Sequence, residues 1–119
     1  MISAILLAAG QSQRMKGQNK LLKQYKGKYL INHILNTLVK SKVNNIFLVL
    51  GFQNLKVRKI IIKSKKIQCI YNKKYKSGLS SSIQAGLNKI SKKNMGFLIV
   101  HADMPLISKG IINILCSAV

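Results

Sequence analysis

An α/β fold, with a mostly parallel sheet between helices on both of its faces, is the class this 119-residue sequence predicts. Three observations predict it. Short apolar runs alternate along the chain with segments of helical periodicity. The runs are continuous, as in Ile46-Phe47-Leu48-Val49-Leu50, so they read as strands buried on both faces. No internal repeat, low-complexity linker or second set of elements interrupts the series, so one domain spanning 1–119 is expected.

The elements follow in order. Ser3 to Leu7 reads as the first strand, and a small-residue loop follows it. Leu30, Ile34, Leu35 and Leu38 share one face of a helix over Tyr29 to Val39. Asn44-Asn45 is a turn, the Ile46–Leu50 run is the second strand, and Gly51 ends it. A basic helix is expected over Leu55 to Lys63, then a third, edge-lying strand over Ile67 to Tyr71. The segment from Asn72 to Gly78 is a loop. Ile83, Leu87 and Ile90 then mark a helix whose opening serines can cap free N–H groups. Phe97 to Val100 is the fourth strand, and Ser108 can cap a last helix carrying Ile111, Ile112, Ile114 and Leu115. Tyr71 and Phe97 are expected to pack, and His33 to lie on a helix surface.

Hydrophobic residues make up 48% of the chain and Trp is absent, which predicts an aliphatic core. Twenty-one Lys and Arg face one acidic residue, Asp103, for a formal charge of +20. Such a field attracts polyanions. The lysines are scattered from Lys16 to Lys109 without an aromatic-interleaved stripe, so specific nucleic-acid binding is not expected. A single carboxylate excludes two-carboxylate mechanisms such as glycoside hydrolysis. Cys69 and Cys116 fit no metal or redox spacing and read as reduced core thiols. The apolar start lacks a basic leader and no run reaches membrane-span length, so a cytoplasmic protein with no membrane partner is expected.

Chemistry points first to Ile5–Lys20. A strand runs into Ala8-Ala9-Gly10, where small side chains let a ligand approach the backbone, and the loop closes on Arg14 and Lys20. Exposed N–H groups with two cations make a phosphate cradle; the alternative is an ordinary strand–loop–helix corner. In an open parallel sheet ligands bind beyond the strands' carboxyl ends, where the strand order reverses. The Ala8–Lys20 loop, the Ser80–Ser82 segment and Asp103 all leave such ends and can converge on one crevice. Asp103, at a strand end before Met104-Pro105, suits a hard cation such as Mg²⁺; the alternative is a turn cap or a lysine pair. His101 reads as a local packing or turn residue.

Three stretches carry a resemblance. LAAGQSQRMKGQNKLL, from Leu7 to Leu22, resembles the signature loop of the MobA-like NTP transferase family. SGLSSSIQAGL, from Ser77 to Leu87, resembles a second motif, and ADMP, from Ala102 to Pro105, resembles its metal-binding motif. Within the family the chain is most similar to the molybdenum cofactor cytidylyltransferases, because the loop reads LAAG rather than LAGG.

The resemblance implies a Rossmann-like three-layer α/β/α fold of the nucleotide-diphospho-sugar transferase type. It implies Mg²⁺-dependent transfer of CMP from CTP to a phosphorylated acceptor, first of all molybdopterin cofactor, with release of pyrophosphate. An isoprenoid-pathway cytidylyltransferase is the near alternative. Carried over by residue, Leu7, Ala8, Ala9 and Gly10 would lie against the nucleotide. Arg14 and Lys20 would be the catalytic cations on the triphosphate. Gly78, Ser81 and Ser82 would hold the base and ribose region, and Asp103 the metal. Lys16 stands where the family usually has Gly, and family members are usually longer, so a carboxyl-terminal truncation is expected. Two rival readings are a basic polyanion binder and an inactive truncated domain that oligomerises through an exposed surface.

Overall fold

The computed structural model describes residues 2–9, 14–15, 18–90, 96–102 and 109–118. In chain order, β1 (Ile2–Ala8) is followed by two small antiparallel hairpins. These are β2 (Arg14–Met15) with β3 (Gln18–Asn19), and β4 (Gln24–Tyr25) with β5 (Lys28–Tyr29). Then come α1 (Leu30–Val39), β6 (Asn45–Leu50), α2 (Asn54–Ile60), β7 (Ile67–Tyr71), α3 (Leu79–Leu87), β8 (Gly96–His101) and α4 (Lys109–Ala118).

The central sheet is parallel, in the order β7-β6-β1-β8. Strand β1 is hydrogen-bonded on both edges, which is why it tolerates no polar alternation: Ala4, Ile5 and Leu6 are wholly buried. Its even positions, Ala4, Leu6 and Ala8, join the larger core with Ile31, Ile34, Leu35 and Leu38 of α1, Val57 of α2 and Ile112 of α4. Those four α1 residues are spaced as one helical stripe. The odd positions, Ile5 and Leu7, join Ala9 and Val49 in a second cluster against Ile83 and Leu87 of α3. The two faces follow from chain direction. Right-handed crossovers from β1 to β6 and β6 to β7 place their helices on one face. The return from β7 across β1 to β8 places α3 on the other.

That reversal puts the switch in strand order between β1 and β8. Helix α3 approaches β1 closely there. A Cβ added to Gly86 would stand 2.6 Å from Ile5 Cγ2.

The expected α/β class and element order hold, with differences that have local causes. The basic helix stops at Ile60 instead of Lys63, because the buried Asn32 claims the backbone beyond it. Its Nδ2 donates to the Ile60 carbonyl at 2.8 Å, and its Oδ1 accepts from the Ile62 amide at 2.9 Å. His33 is half-buried rather than a free surface residue: its Nε2 bonds the Tyr25 carbonyl and its ring meets the Tyr25 ring edge-on at 5.6 Å. Tyr71 and Phe97 do not pack fully, because both fall on edge strands. Both thiols are free, and burial pushes each above its ordinary range, so neither is poised as a nucleophile. No helix among the described residues is long and apolar enough to cross a membrane.

No carboxylate side chain falls among the described residues, so their lysines repel without compensation. The melting temperature is therefore expected to rise as NaCl is added to a low-salt buffer, since screening shortens the repulsion. A flat or falling trend in a thermal melt would contradict this.

Candidate functional site at the carboxyl ends of the strands

Three chain segments border the carboxyl end of β1. Strand β1 delivers Leu7, Ala8 and Ala9, all buried, so their side chains serve the core and their backbone carries the loop outward. Beside it, the ladder with β8 continues one residue past the strand: the Ala102 amide donates to the Leu7 carbonyl at 3.0 Å. The residue after Ala102 is Asp103. The backbone leading into the acidic motif is therefore fixed against the start of the small-residue loop. Gly10, Lys16 and Asp103 themselves lie outside the described residues, as do Met104-Pro105 and Ser108.

Arg14 and Lys20 are brought together by the first hairpin. Arg14 pairs with Asn19 across β2 and β3, and Lys20 follows Asn19 directly as the first residue of a short 3₁₀ turn. Sequence reading placed both cations in one loop; the hairpin makes them neighbours along the backbone.

The third segment comes from the far side. Gly51, at the end of β6, is where the first loop and the Asn72–Gly78 loop touch. A Cβ there would stand 2.9 Å from the Ala9 carbonyl oxygen and 2.5 Å from both Cβ and Cγ of Tyr75. Only a residue without a side chain lets the two loops come this close. Tyr75 opens a 3₁₀ turn over Tyr75–Ser77, and Gly78 follows with φ of 107°. That backbone conformation is open to glycine and strained for any other residue.

Gly78 is also the N-cap of α3, with no side-chain cap. The expected serine capping is not observed. Ser81 Oγ instead shares its hydrogen between the carbonyls of Lys74 (2.9 Å) and Gly78 (2.8 Å), and Ser82 is buried. The residue that organises them is Asn72, buried at the end of β7. Its two Nδ2 hydrogens go to Ser81 Oγ and Ser82 Oγ, each at 3.0 Å, and its Oδ1 accepts from the Lys74 amide at 3.0 Å. Its own amide donates to the Leu50 carbonyl at 2.8 Å. The sequence signal was an Asn directly after a strand, the usual start of a side-chain-to-backbone turn. Asn72→Ala is expected to cost about 2 kcal/mol, because it strips partners from a buried hydroxyl and an amide. Urea unfolding would read the loss; an unchanged midpoint would show that the network carries no stability.

Around these loops the field is positive. Lys73, Lys74 and Lys76 are exposed on the Asn72–Gly78 segment. A pocket of about 480 Å³ opens beside it, lined by Gly51, Gln53, Lys56, Tyr71 and Tyr75 among others. A second, of about 420 Å³, is lined by Asn72, Lys74 and Ser81 on the other side of Tyr71. No group of three or more His, Cys, Asp or Glu able to hold a metal occurs among the described residues.

Among the described residues, the end of β1 thus lies against Ala102 on one side and, through Gly51, against the loop that leads into α3 on the other. Residues 4–119 match the model of the MobA-like NTP transferase domain. The chain belongs to this family. Among curated relatives it is 38% identical over 63 residues to 2-C-methyl-D-erythritol 4-phosphate cytidylyltransferase of Dehalococcoides mccartyi, covering 52% of this chain and 28% of that protein. It is 30% identical over 118 residues to the bifunctional protein GlmU of Campylobacter fetus, covering 97% of this chain and 26% of GlmU. Among solved structures, Rv0371c of Mycobacterium tuberculosis superposes with a TM-score of 0.84 at 20% identity, covering 98% of this chain and 58% of that one. A nucleotidyl transferase of Methanothermobacter thermautotroptrophicus (Mth528) superposes at 0.83 and 22% identity, covering 98% and 57%. The MobA-like domain of this chain thus spans about a quarter of those curated relatives and a little over half of the solved neighbours.

Proposed function

We propose that this chain binds CTP at the β1/β8 switch point and, as a cytoplasmic enzyme, transfers its CMP moiety to a phosphorylated acceptor, with molybdopterin cofactor as the first choice. The observation that supports the reading is the pair of contacts at the end of β1: the Ala102–Leu7 hydrogen bond toward β8 and the Gly51 contact with Ala9 and Tyr75 toward β6. An acceptor phosphate oxygen forms a bond to the α-phosphorus while the bond to the β-phosphate oxygen breaks, and pyrophosphate leaves. The chain supplies positioning and charge rather than a nucleophile. The backbone of Ala8, Ala9 and Gly10 cradles the nucleotide, and Arg14 and Lys20 neutralise the triphosphate and the leaving pyrophosphate. Gly78, Ser81 and Ser82 shape the base and ribose side.

Asp103 would hold Mg²⁺. The donor set fits a hard cation: one carboxylate, next to backbone anchored beside the phosphate loop, with phosphate oxygens completing the shell. Bound there, the ion supplies charge neutralisation at the phosphates.

A second reading keeps the chemistry and changes the acceptor to a small isoprenoid-pathway phosphate. The similarity to a 2-C-methyl-D-erythritol 4-phosphate cytidylyltransferase favours it. Pyrophosphate release, measured with CTP or GTP and with molybdopterin cofactor or 2-C-methyl-D-erythritol 4-phosphate, separates the two. Release with CTP and the cofactor supports the first reading, and release with CTP and the sugar phosphate the second. Release with GTP alone, or none in any combination, contradicts both.

A further inference from the structure

Among the described residues, two that are not glycine hold positive φ, Lys26 at 51° and Gln53 at 57°. Lys26 turns the β4–β5 hairpin together with Gly27, so its conformation has a local cause. At Gln53 the chain turns from β6 into α2, and the residue stands as the N-cap of that helix without a side-chain cap hydrogen bond. Glycine would hold this turn without strain, so the local fold does not call for the side chain. Nor does the core use it: Gln53 Oε1 is buried and accepts no hydrogen bond from the described residues. An unpaired buried acceptor costs free energy until a donor reaches it. The side chain lies in the wall of the pocket of about 480 Å³, and all of that pocket's walls come from residues 51–75. The volume is that of a small-ligand site, for which about 300–1,000 Å³ is typical.

The pocket adjoins the end of β1. Gly51 forms part of its wall and also meets the Ala9 carbonyl, and Tyr75 of the same wall opens the turn before Gly78. Resting on the reading that CTP binds at this end of the sheet, we propose that Gln53 holds the nucleobase in this pocket through its carboxamide. Chemistry selects the base from the parts of the nucleotide. Phosphate oxygens are acceptors and cannot satisfy a second acceptor. Cytosine brings an amine N–H, an acceptor ring nitrogen beside it, and two flat faces. Its amine donates to Gln53 Oε1 while Gln53 Nε2 donates to the ring nitrogen, the two-point pairing a carboxamide makes with a base edge. The last torsion of a glutamine is soft, so the oxygen can turn from its buried position toward the amine. Tyr71 and Tyr75 line the same pocket and supply rings on which a base can lie. The base then sits on the β6 side of Ala9 and leaves the loop after β1 to the phosphates.

Titration calorimetry with CTP and with inorganic tripolyphosphate, each with Mg²⁺, tests this. Gln53→Leu and Gln53→Gly are each expected to weaken CTP binding about 10-fold or more, because hydrogen bonds to the base are lost. Tripolyphosphate, which has no base, should bind both variants as it binds the unsubstituted chain. Gln53→Leu removes an unpaired buried acceptor at nearly constant size, so its melting temperature should not fall. CTP bound as tightly by either variant as by the unsubstituted chain overturns the proposal and leaves the reading of the site intact. Equal weakening of CTP and tripolyphosphate also overturns it, since Gln53 would then act through the loop and not on the base. An unsubstituted chain that binds tripolyphosphate but not CTP contradicts the reading itself, and the inference falls with it.

Discussion

Gly51→Val is expected to destabilise the fold by about 3 kcal/mol or more and to abolish nucleotide binding by whatever protein remains folded. The cause is local and has no soft escape. Even a single Cβ at this position stands 2.5 Å from Tyr75 Cβ and 2.9 Å from the Ala9 carbonyl oxygen. Neither neighbour is the free end of a flexible side chain. One belongs to the root of a ring packed on the second core cluster, and the other to the backbone leaving β1. Relief means moving one loop away from the other. Stability of a domain this size is itself only on the order of 10 kcal/mol, so the loss is a large share. Urea unfolding should show a lower midpoint at unchanged slope. A midpoint equal to that of the unsubstituted chain would mean that the two loops are not in contact.

Asp103→Asn is expected to act the opposite way, on chemistry and not on the fold. The proposed reaction gathers negative charge on the triphosphate at a site with one carboxylate to hold a divalent cation. Removing that charge while keeping the side chain's size should lower Mg²⁺-dependent transfer by roughly 10³-fold, equivalent to about 4 kcal/mol. The hydrogen bond that anchors the segment belongs to the backbone of Ala102, so the melting temperature should not fall. Turnover unchanged in Asp103→Asn would remove the carboxylate from the mechanism. Lost turnover together with a collapsed melt would assign it a structural role instead.

Much of the fold was legible because its strands are buried on both faces. An uninterrupted run such as Ile46–Leu50 has no other reading at that length, and the alternation with helical stripes then fixes a parallel sheet. The small hairpins were not legible. β4 and β5 are two residues each, turned by Lys26 and Gly27 at positive φ, and their hold on α1 comes from the His33–Tyr25 contact. No periodicity exists in two residues, and the contact spans a turn. At the site, the strand ends were legible, and the structure joins those of β1 and β8 through the Ala102–Leu7 hydrogen bond. The role of Asn72 was not. The serines of α3 drew attention as helix caps, yet the buried carboxamide one strand earlier is the group that fixes them. Nor did the sequence reveal Gly51 as the meeting point of two loops. A glycine after a strand reads as a turn, and the contact with Tyr75 and Ala9 arises only when β6 is laid beside β1.

The most direct test of the central claim is a ¹⁵N–¹H correlation spectrum of the chain titrated with CTP and Mg²⁺. The account predicts shifts at the switch point: Ala8 and Ala9, Gly78 with Ser81 and Ser82, and Ala102. Arg14→Ala should weaken the response. No shift at millimolar nucleotide, or shifts confined to the lysine-flanked edge around β7, would contradict it.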